Sequence, residues 1–282
     1  MTFETIGLSI DERGVARLTL NRPDKRNALS AVMIDEIVEA SARIGRDPEI
    51  RCVILEARGK VFCAGGDLEW MMQQIEADRS TRMREARRLA MMLQALDMIP
   101  KPLVGRIHGD AFGGGIGLLA VCDHAVAADH CRFGLTETRL GLIPATISPY
   151  VIGRTGAGAA RRVFMSAALF DAREAERLDL VGTVVAAGDL DCAVDEAVSP
   201  YLSVASGAVA RARNSPRHWP RSMTRSSTGL SSALPMHGKA RKRAKALPPS
   251  SNAARRAGLQ TGTEATGAAH PQTTIKQGED VT

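Results

Sequence analysis

The segment "GDAFGGGIGLLAVCD", Gly109 to Asp123, sets three glycines together at the mouth of an apolar helical pattern. Backbone without Cβ atoms at a helix start leaves N–H groups unblocked, so a ligand oxygen or a second backbone can approach closely. Neither common phosphate loop fits. A Walker loop ends in Gly-Lys-Ser/Thr, and the dinucleotide fingerprint spaces its glycines at one, three and six; "GGGIG" does neither. On these residues alone two readings stand level: a helix N-terminus that holds an anion or an oxygen gaining negative charge, and a close helix packing contact.

A second segment favours the first reading. "GKVFCAGGDLEW" comes after the apolar strand pattern "RCVILEA" and places Ala64, Gly65 and Gly66 where the backbone turns with N–H groups free, with Asp67 poised to cap the residues after it. Two such donors aimed at one point form an oxyanion hole for a thioester enolate.

Around these loops the chain alternates strands and helices. "TIGLSI" and "VARLTL" flank "DERG" as a hairpin. Ser30 suits a helix N-cap ahead of Met33, Ile34, Ile37 and Val38, a helix that stops near Gly45 and leads to "RCVILEA". A second helix is expected over about 80–98, with Leu89, Met92, Leu93 and Leu96 on one face. The strands "PLVGRIHG" and "HAVAA" bracket the glycine segment. "SPYVIGRTGAGAARRVFMSA", "DAREAERLDLVGTVV" and "LDCAVDEAVSPYLSVA" then supply helices and a closing strand. This order predicts an α/β core with parallel pairing.

Of 282 residues 44% are hydrophobic, enough for one large domain, and no stretch approaches the roughly 20 apolar residues of a membrane span. A cytoplasmic location is the expectation. Cys52, Cys63, Cys122, Cys131 and Cys192 show no CxxC spacing and sit mostly in apolar segments, which predicts buried thiols and no metal site. The net charge of +6 belongs to the tail: residues 211–282 hold 13 Lys/Arg against 3 Asp/Glu, while residues 1–210 hold 24 against 28. "GKARKRAK" in that tail lacks interleaved aromatics and reads as a nonspecific solvated run, not a dedicated nucleic-acid site.

Together "NRPDKRNAL", "GKVFCAGGDL", "GGGIGLLAVCDHAVAA", "RFGLTETRLGLIP" and "DAREAERLDLVGTVV" resemble the crotonase superfamily, the enoyl-CoA hydratase/isomerase family, over residues 1 to about 207. The resemblance implies a spiral of ββα units, an acyl-CoA thioester substrate and homotrimers or hexamers. Coenzyme A enters as part of the substrate, and no separate cofactor is implied. It places the oxyanion hole on the N–H groups of Gly66 and Gly114, and the coenzyme A site along Asp24, Lys25, Arg26, Ala28, Ala64, Asp67 and Leu68. Glu137 aligns with the family's second catalytic glutamate. Where two-glutamate hydratases carry their first, three residues past the oxyanion glycine, this chain has Gly117. The run "LGLIPATISPYV" resembles bacterial hydratases of the 3-methylglutaconyl-CoA type, in leucine breakdown, a subgroup that also carries Gly there. Hydration through Glu137 is therefore the leading expectation. Isomerisation by Glu137 alone comes next, and a catalytically impaired acyl-CoA-binding relative is the third.

The core domain is expected to end near residue 207, with a basic, Ser/Pro-rich tail over 208–282. Residues 210–258 contain no acidic residue and show little periodicity. Taking the third base of each codon with the first two of the next, residues 237–258 can encode an amphipathic helix resembling the family's C-terminal one. The tail is thus expected to be a frameshifted extension from about residue 210, lacking the family's lid helices and weakening the trimer.

Overall fold

The structure, a computed structural model, describes residues 2–218. β1 (Ile6–Ile10) and β2 (Val15–Leu20) make the expected antiparallel hairpin, with Ile6 opposite Leu20. Its turn requires Gly14: φ is 79°, and a Cβ would lie 2.4 Å from the Glu49 carbonyl oxygen. Ser30 caps α1 (Ala31–Arg46) by accepting the Met33 N–H, and Met33, Ile34, Ile37 and Ile44 face the core. β3 (Cys52–Ala57) comes after it.

α2 (Leu68–Glu76) was not expected from the sequence, because it is short and buries no residue completely, so it carries no core stripe to read. α3 (Arg79–Asp97) matches the expected second helix, with Met92, Leu93 and Leu96 buried. β4 (Leu103–Ile107), β5 (Ala111–Phe112), α4 (Gly114–Ala120), β6 (His124–Ala128) and β7 (Arg132–Gly134) come next. α5 (Ser148–Ser166) is kinked at Gly156, whose φ is 75°. β8 (Leu169–Asp171), α6 (Ala172–Arg177), β9 (Thr183–Val185), α7 (Leu190–Leu202) and α8 (Ser206–His218) complete the described chain.

The larger sheet has the order β1-β2-β3-β4-β6-β9, parallel from β2 onward. A three-stranded sheet, β5-β7-β8, joins β5 to β7 in parallel. Its strands are two or three residues long, below what alternation in a sequence can reveal. Cys52, Cys63, Cys122 and Cys131 are free thiols inside the core, each pushed up to about 12 by burial. Cys192 is exposed.

Helical order runs past residue 207. α8 spans the expected boundary, and Arg213 on it is 6% exposed at its side chain, with Nε 2.9 and 2.6 Å from the two Asp123 carboxylate oxygens. Its Nη1 donates to the carbonyls of Asp97 and Ile99, both at 2.6 Å. A guanidinium is costly to bury unless paired, and this one meets acceptors at the ends of α3 and α4. The chain therefore fits the body through Arg213. The tail from 219 onward lies outside the described residues.

Candidate active site

Topology brings the two glycine turns together. β3 and β4 are parallel neighbours, so the chain leaves both at the same end of the sheet, and each exit leads to one of the turns. Cys63 bridges Ala111, and the Phe112 N–H donates to the Cys63 carbonyl at 2.9 Å. Gly65 and Gly113 take φ of 97° and 48°. A Cβ on Gly65 would stand 3.1 Å from the Phe112 carbonyl oxygen and 3.7 Å from the Gly114 nitrogen. The turns are in contact because neither carries a side chain there.

Gly114 opens α4, so its N–H has no intrahelical acceptor. Leu29 spans the other turn: its N–H donates to the Gly65 carbonyl at 2.8 Å, and its carbonyl accepts from the Asp67 N–H at 3.0 Å. The Gly66 N–H between them donates to no backbone or side-chain acceptor among the described residues. Both expected oxyanion donors are thus free and line one cavity of about 260 Å³, together with Ala64 and Glu137.

Glu137 arrives by way of the small sheet. β5 leads directly into Gly113, and the Gly113 N–H donates to the carbonyl of Gly134 at the end of β7 at 3.0 Å. A short 3₁₀ turn over Glu137–Leu140 comes just beyond. A Cβ on Gly113 would stand 3.2 Å from Glu137 Oε1, so that glycine leaves room for the carboxyl group. Oε2 is buried without a hydrogen-bond partner. Burial pushes the Glu137 pKa up, and its own backbone N–H offsets only part of this.

The place of a second carboxylate is filled. A Cβ on Gly117 would lie 2.7 Å from Ile147 Cγ2 and 3.3 Å from Leu93 Cδ1, and Ile147 itself lines the cavity. Among the described lining residues Glu137 is the one acid.

The expected coenzyme A residues divide. Asp24 and Lys25 form a short 3₁₀ turn that ends at Arg26, held at φ 52°; Lys25 Nζ reaches the Glu69 carboxylate at 3.1 Å in an exposed pair. Ala28 and Ala64 are close by, the Ala64 N–H donating to the Arg26 carbonyl at 3.0 Å. Leu68 is exposed on the first turn of α2. The side chain of Asp67 turns inward, capping α2 through the N–H groups of Glu69 and Trp70 and pairing with Arg22 Nη1 at 3.0 Å. Burial works against its charge, but the Trp70 N–H, Arg22 and the Glu69 N–H outweigh it and hold the pKa low.

The sequence reading did not single out Asn27, which is fully buried. Its Nδ2 donates to the carbonyls of Arg58 and Val61, both at 2.8 Å, and its Oδ1 accepts the Arg22 N–H at 2.9 Å. Its φ of 54° is a left-handed conformation that asparagine tolerates. The cavity wall also carries Trp70, Met71, Phe112, Thr136, Thr146 and Ile147, none of which the sequence singles out individually. The aromatic just after the Asp67 cap was the available signal for Trp70.

A family model described as enoyl-CoA hydratase/isomerase matches residues 11–244. A putative enoyl-CoA hydratase from Thermus thermophilus is 32% identical over 201 residues, 71% of this chain and 78% of its own length. The crystal structure of an enoyl-CoA hydratase from Shewanella pealeana gives a TM-score of 0.74 at 36% identity, covering 77% of this chain and 80% of that one. Pseudomonas aeruginosa AtuE gives 0.72 at 38%, covering 74% and 81%. These neighbours share the α/β crotonase architecture, in which two free glycine N–H groups and one glutamate face a common cavity here. The chain belongs to the enoyl-CoA hydratase/isomerase family.

Proposed function

We propose that the chain is an enoyl-CoA hydratase that works with Glu137 as its single acid/base group. The observation that carries this is the Glu137 carboxyl, its buried Oε2 without a hydrogen-bond partner, facing the same cavity as the N–H groups of Gly66 and Gly114. Glu137 takes a proton from water as the hydroxide oxygen bonds to Cβ of the enoyl group. The double-bond electrons move onto the thioester oxygen, where the two N–H groups hold the enolate. The same carboxyl then returns the proton to Cα, so one residue serves as base and then as acid. Burial suits this, because it raises the pKa and so makes the acid form more accessible.

Isomerisation of a 3-enoyl to a 2-enoyl thioester is favoured by one observation: Ile147 and Leu93 occupy the space beside Gly117, making that wall apolar. Proton removal and return by Glu137 would suffice there. Supplying crotonyl-CoA and, separately, a 3-enoyl-CoA in ¹⁸O-labelled water separates the two. Hydration puts label on Cβ of the crotonyl product; its absence together with conversion of the 3-enoyl substrate would overturn the hydratase reading.

The resemblance to 3-methylglutaconyl-type hydratases supports a branched acyl group; the terminal carboxylate of that type's substrate is not part of this proposal, because the cavity lining holds no cation to meet it. A homotrimer or hexamer belongs to the same proposal, as does a cytoplasmic location; among the described residues no helix is long and apolar enough to cross a membrane.

A further inference from the structure

We infer that this site takes an acyl group without charge and rejects acyl groups ending in a carboxylate, and that Trp70, positioned by Glu85, sets this preference. The inference rests on the acyl-CoA reading above and narrows its substrate class.

The two glycine N–H groups fix where the thioester oxygen sits, so the acyl group must extend along the rest of the cavity. That wall is Trp70, Met71, Leu89, Ile143 and Ile147. Its side-chain polar groups are the hydroxyls of Thr136 and Thr146 and the carboxyl of Glu137. No Lys, Arg or His stands among the described lining residues. A distal carboxylate, as in a glutaconyl group, would enter a small apolar space with no cation to meet it, and burying an unpaired anion is costly.

The groups behind the wall offer an anion no free partner. A Cβ on Gly66 would be 3.9 Å from Trp70 Cζ3, so the indole stands beside the thioester site. Trp70 Nε1–H donates to Glu85 Oε2 at 3.2 Å, which uses the ring's one donor and leaves its apolar faces. Glu85 is a buried acid, 8% exposed. The cations that reach Glu85 are occupied: Arg88 Nη1 meets Glu85 at 2.8 Å, its Nη2 meets Asp35 at 2.5 Å, and Arg84 Nε lies 3.7 Å from Glu85. Next to the indole, therefore, stands a carboxylate whose partners are already engaged. An uncharged acyl group gains contact with the ring, and an anionic one meets no free cation there and the Glu137 carboxyl besides. Rejection by an unpaired charge is a stronger discriminator than loss of a contact.

The test uses the full chain and two thioesters that lack a double bond and so do not react, pentanoyl-CoA and glutaryl-CoA, which differ only in a terminal methyl against a carboxylate. Calorimetric titration is expected to show pentanoyl-CoA binding tighter by about tenfold or more. Equal affinity, a preference for glutaryl-CoA, or no binding of either overturns the inference. If the preference holds and no enoyl-CoA is hydrated, the hydratase reading fails alone.

Glu85→Gln keeps an acceptor for the indole and is expected to retain the preference. Glu85→Ala is expected to reduce it to within about threefold, with affinity for coenzyme A itself unchanged and the fluorescence of Trp70 shifted in a Trp219→Phe background. A Glu85→Ala chain with wild-type preference and wild-type Trp70 fluorescence would remove Glu85 and Trp70 from any role in selecting the acyl group.

Discussion

The turn at Gly65–Gly66 and the turn at Gly113–Gly114 offer the same kind of donor, yet they are held by different means. The first is fixed by polar contacts. Leu29 brackets it with two backbone hydrogen bonds, and Asp67 caps α2 while pairing with Arg22. The helix after it buries none of its residues completely. The second is fixed by packing: α4 buries Gly115 through Ala120, and a Cβ on Gly115 would lie 2.7 Å from the Cys63 carbonyl oxygen. One donor thus hangs on a partly exposed hydrogen-bonded turn and the other on a buried helix. The two should fail differently when altered.

The largest difference is expected from a methyl group at each donor. On Gly114 it would sit 2.7 Å from Cδ1 of the fully buried Leu29, which has nowhere to move. Gly114→Ala should lower kcat by about 10²-fold or more and also destabilise the fold, by about 1–3 kcal/mol, measured by steady-state kinetics and urea unfolding. On Gly66 the methyl meets Met71 Sδ at 3.0 Å, the far end of a flexible side chain. Gly66→Ala should cost less than half as much stability. Equal destabilisation by both would remove the distinction between a packed and a hydrogen-bonded turn.

Next comes the polar support of the first turn. Arg22→Ala leaves Asp67 buried with its cap bonds but without its ion pair, and about 1–3 kcal/mol should be lost. Turnover should fall with it, because the chain carrying Gly66 is no longer tied down. A variant with unchanged stability would show the pair to be incidental.

How much could be read from the sequence divides along the same line. The second turn could be located from three adjacent glycines before an apolar helix, and the matching Gly65–Gly66 segment was needed to choose between its two readings. So could the hairpin, α1 and α3, whose apolar residues recur at the spacing of a core face. Asp67 was legible as a cap from its position alone. The cavity wall was not, because Trp70, Thr146 and Ile147 come from separate segments that only the fold brings together. Nor was α2, which has no buried stripe. Gly117 marked the missing carboxylate in the sequence, but that Ile147 fills its place depends on packing across to α5. Nor was α8 legible, where Arg213 finds its acceptors among residues 97–123.

A smaller effect is expected from pH. Burial raises the folded-state pKa of Glu137 above its unfolded value, so its ionised form weakens the fold. The stability tied to its neutral form is present below the unfolded pKa of about 4.3 and is lost as pH rises through the folded value. Glu137→Gln removes that loss. Its Tm should exceed wild type by about 2 °C at neutral pH, and the gap should close near pH 4. A gap that widened on acidification would reverse the sign of the burial effect.

The smallest stability change is expected at the exposed Lys25–Glu69 pair. Lys25→Ala should alter stability by no more than about 0.5 kcal/mol while weakening acyl-CoA binding severalfold, if its ammonium meets a phosphate. Unchanged binding would move the phosphate site away from this turn.

The central claim is that Glu137 alone moves the proton in hydration. It is tested most directly by measuring crotonyl-CoA hydration by Glu137→Gln beside its affinity for butyryl-CoA. The expected result is a loss in kcat of about 10³-fold or more with affinity kept within a few fold. Hydration at the wild-type rate would contradict it.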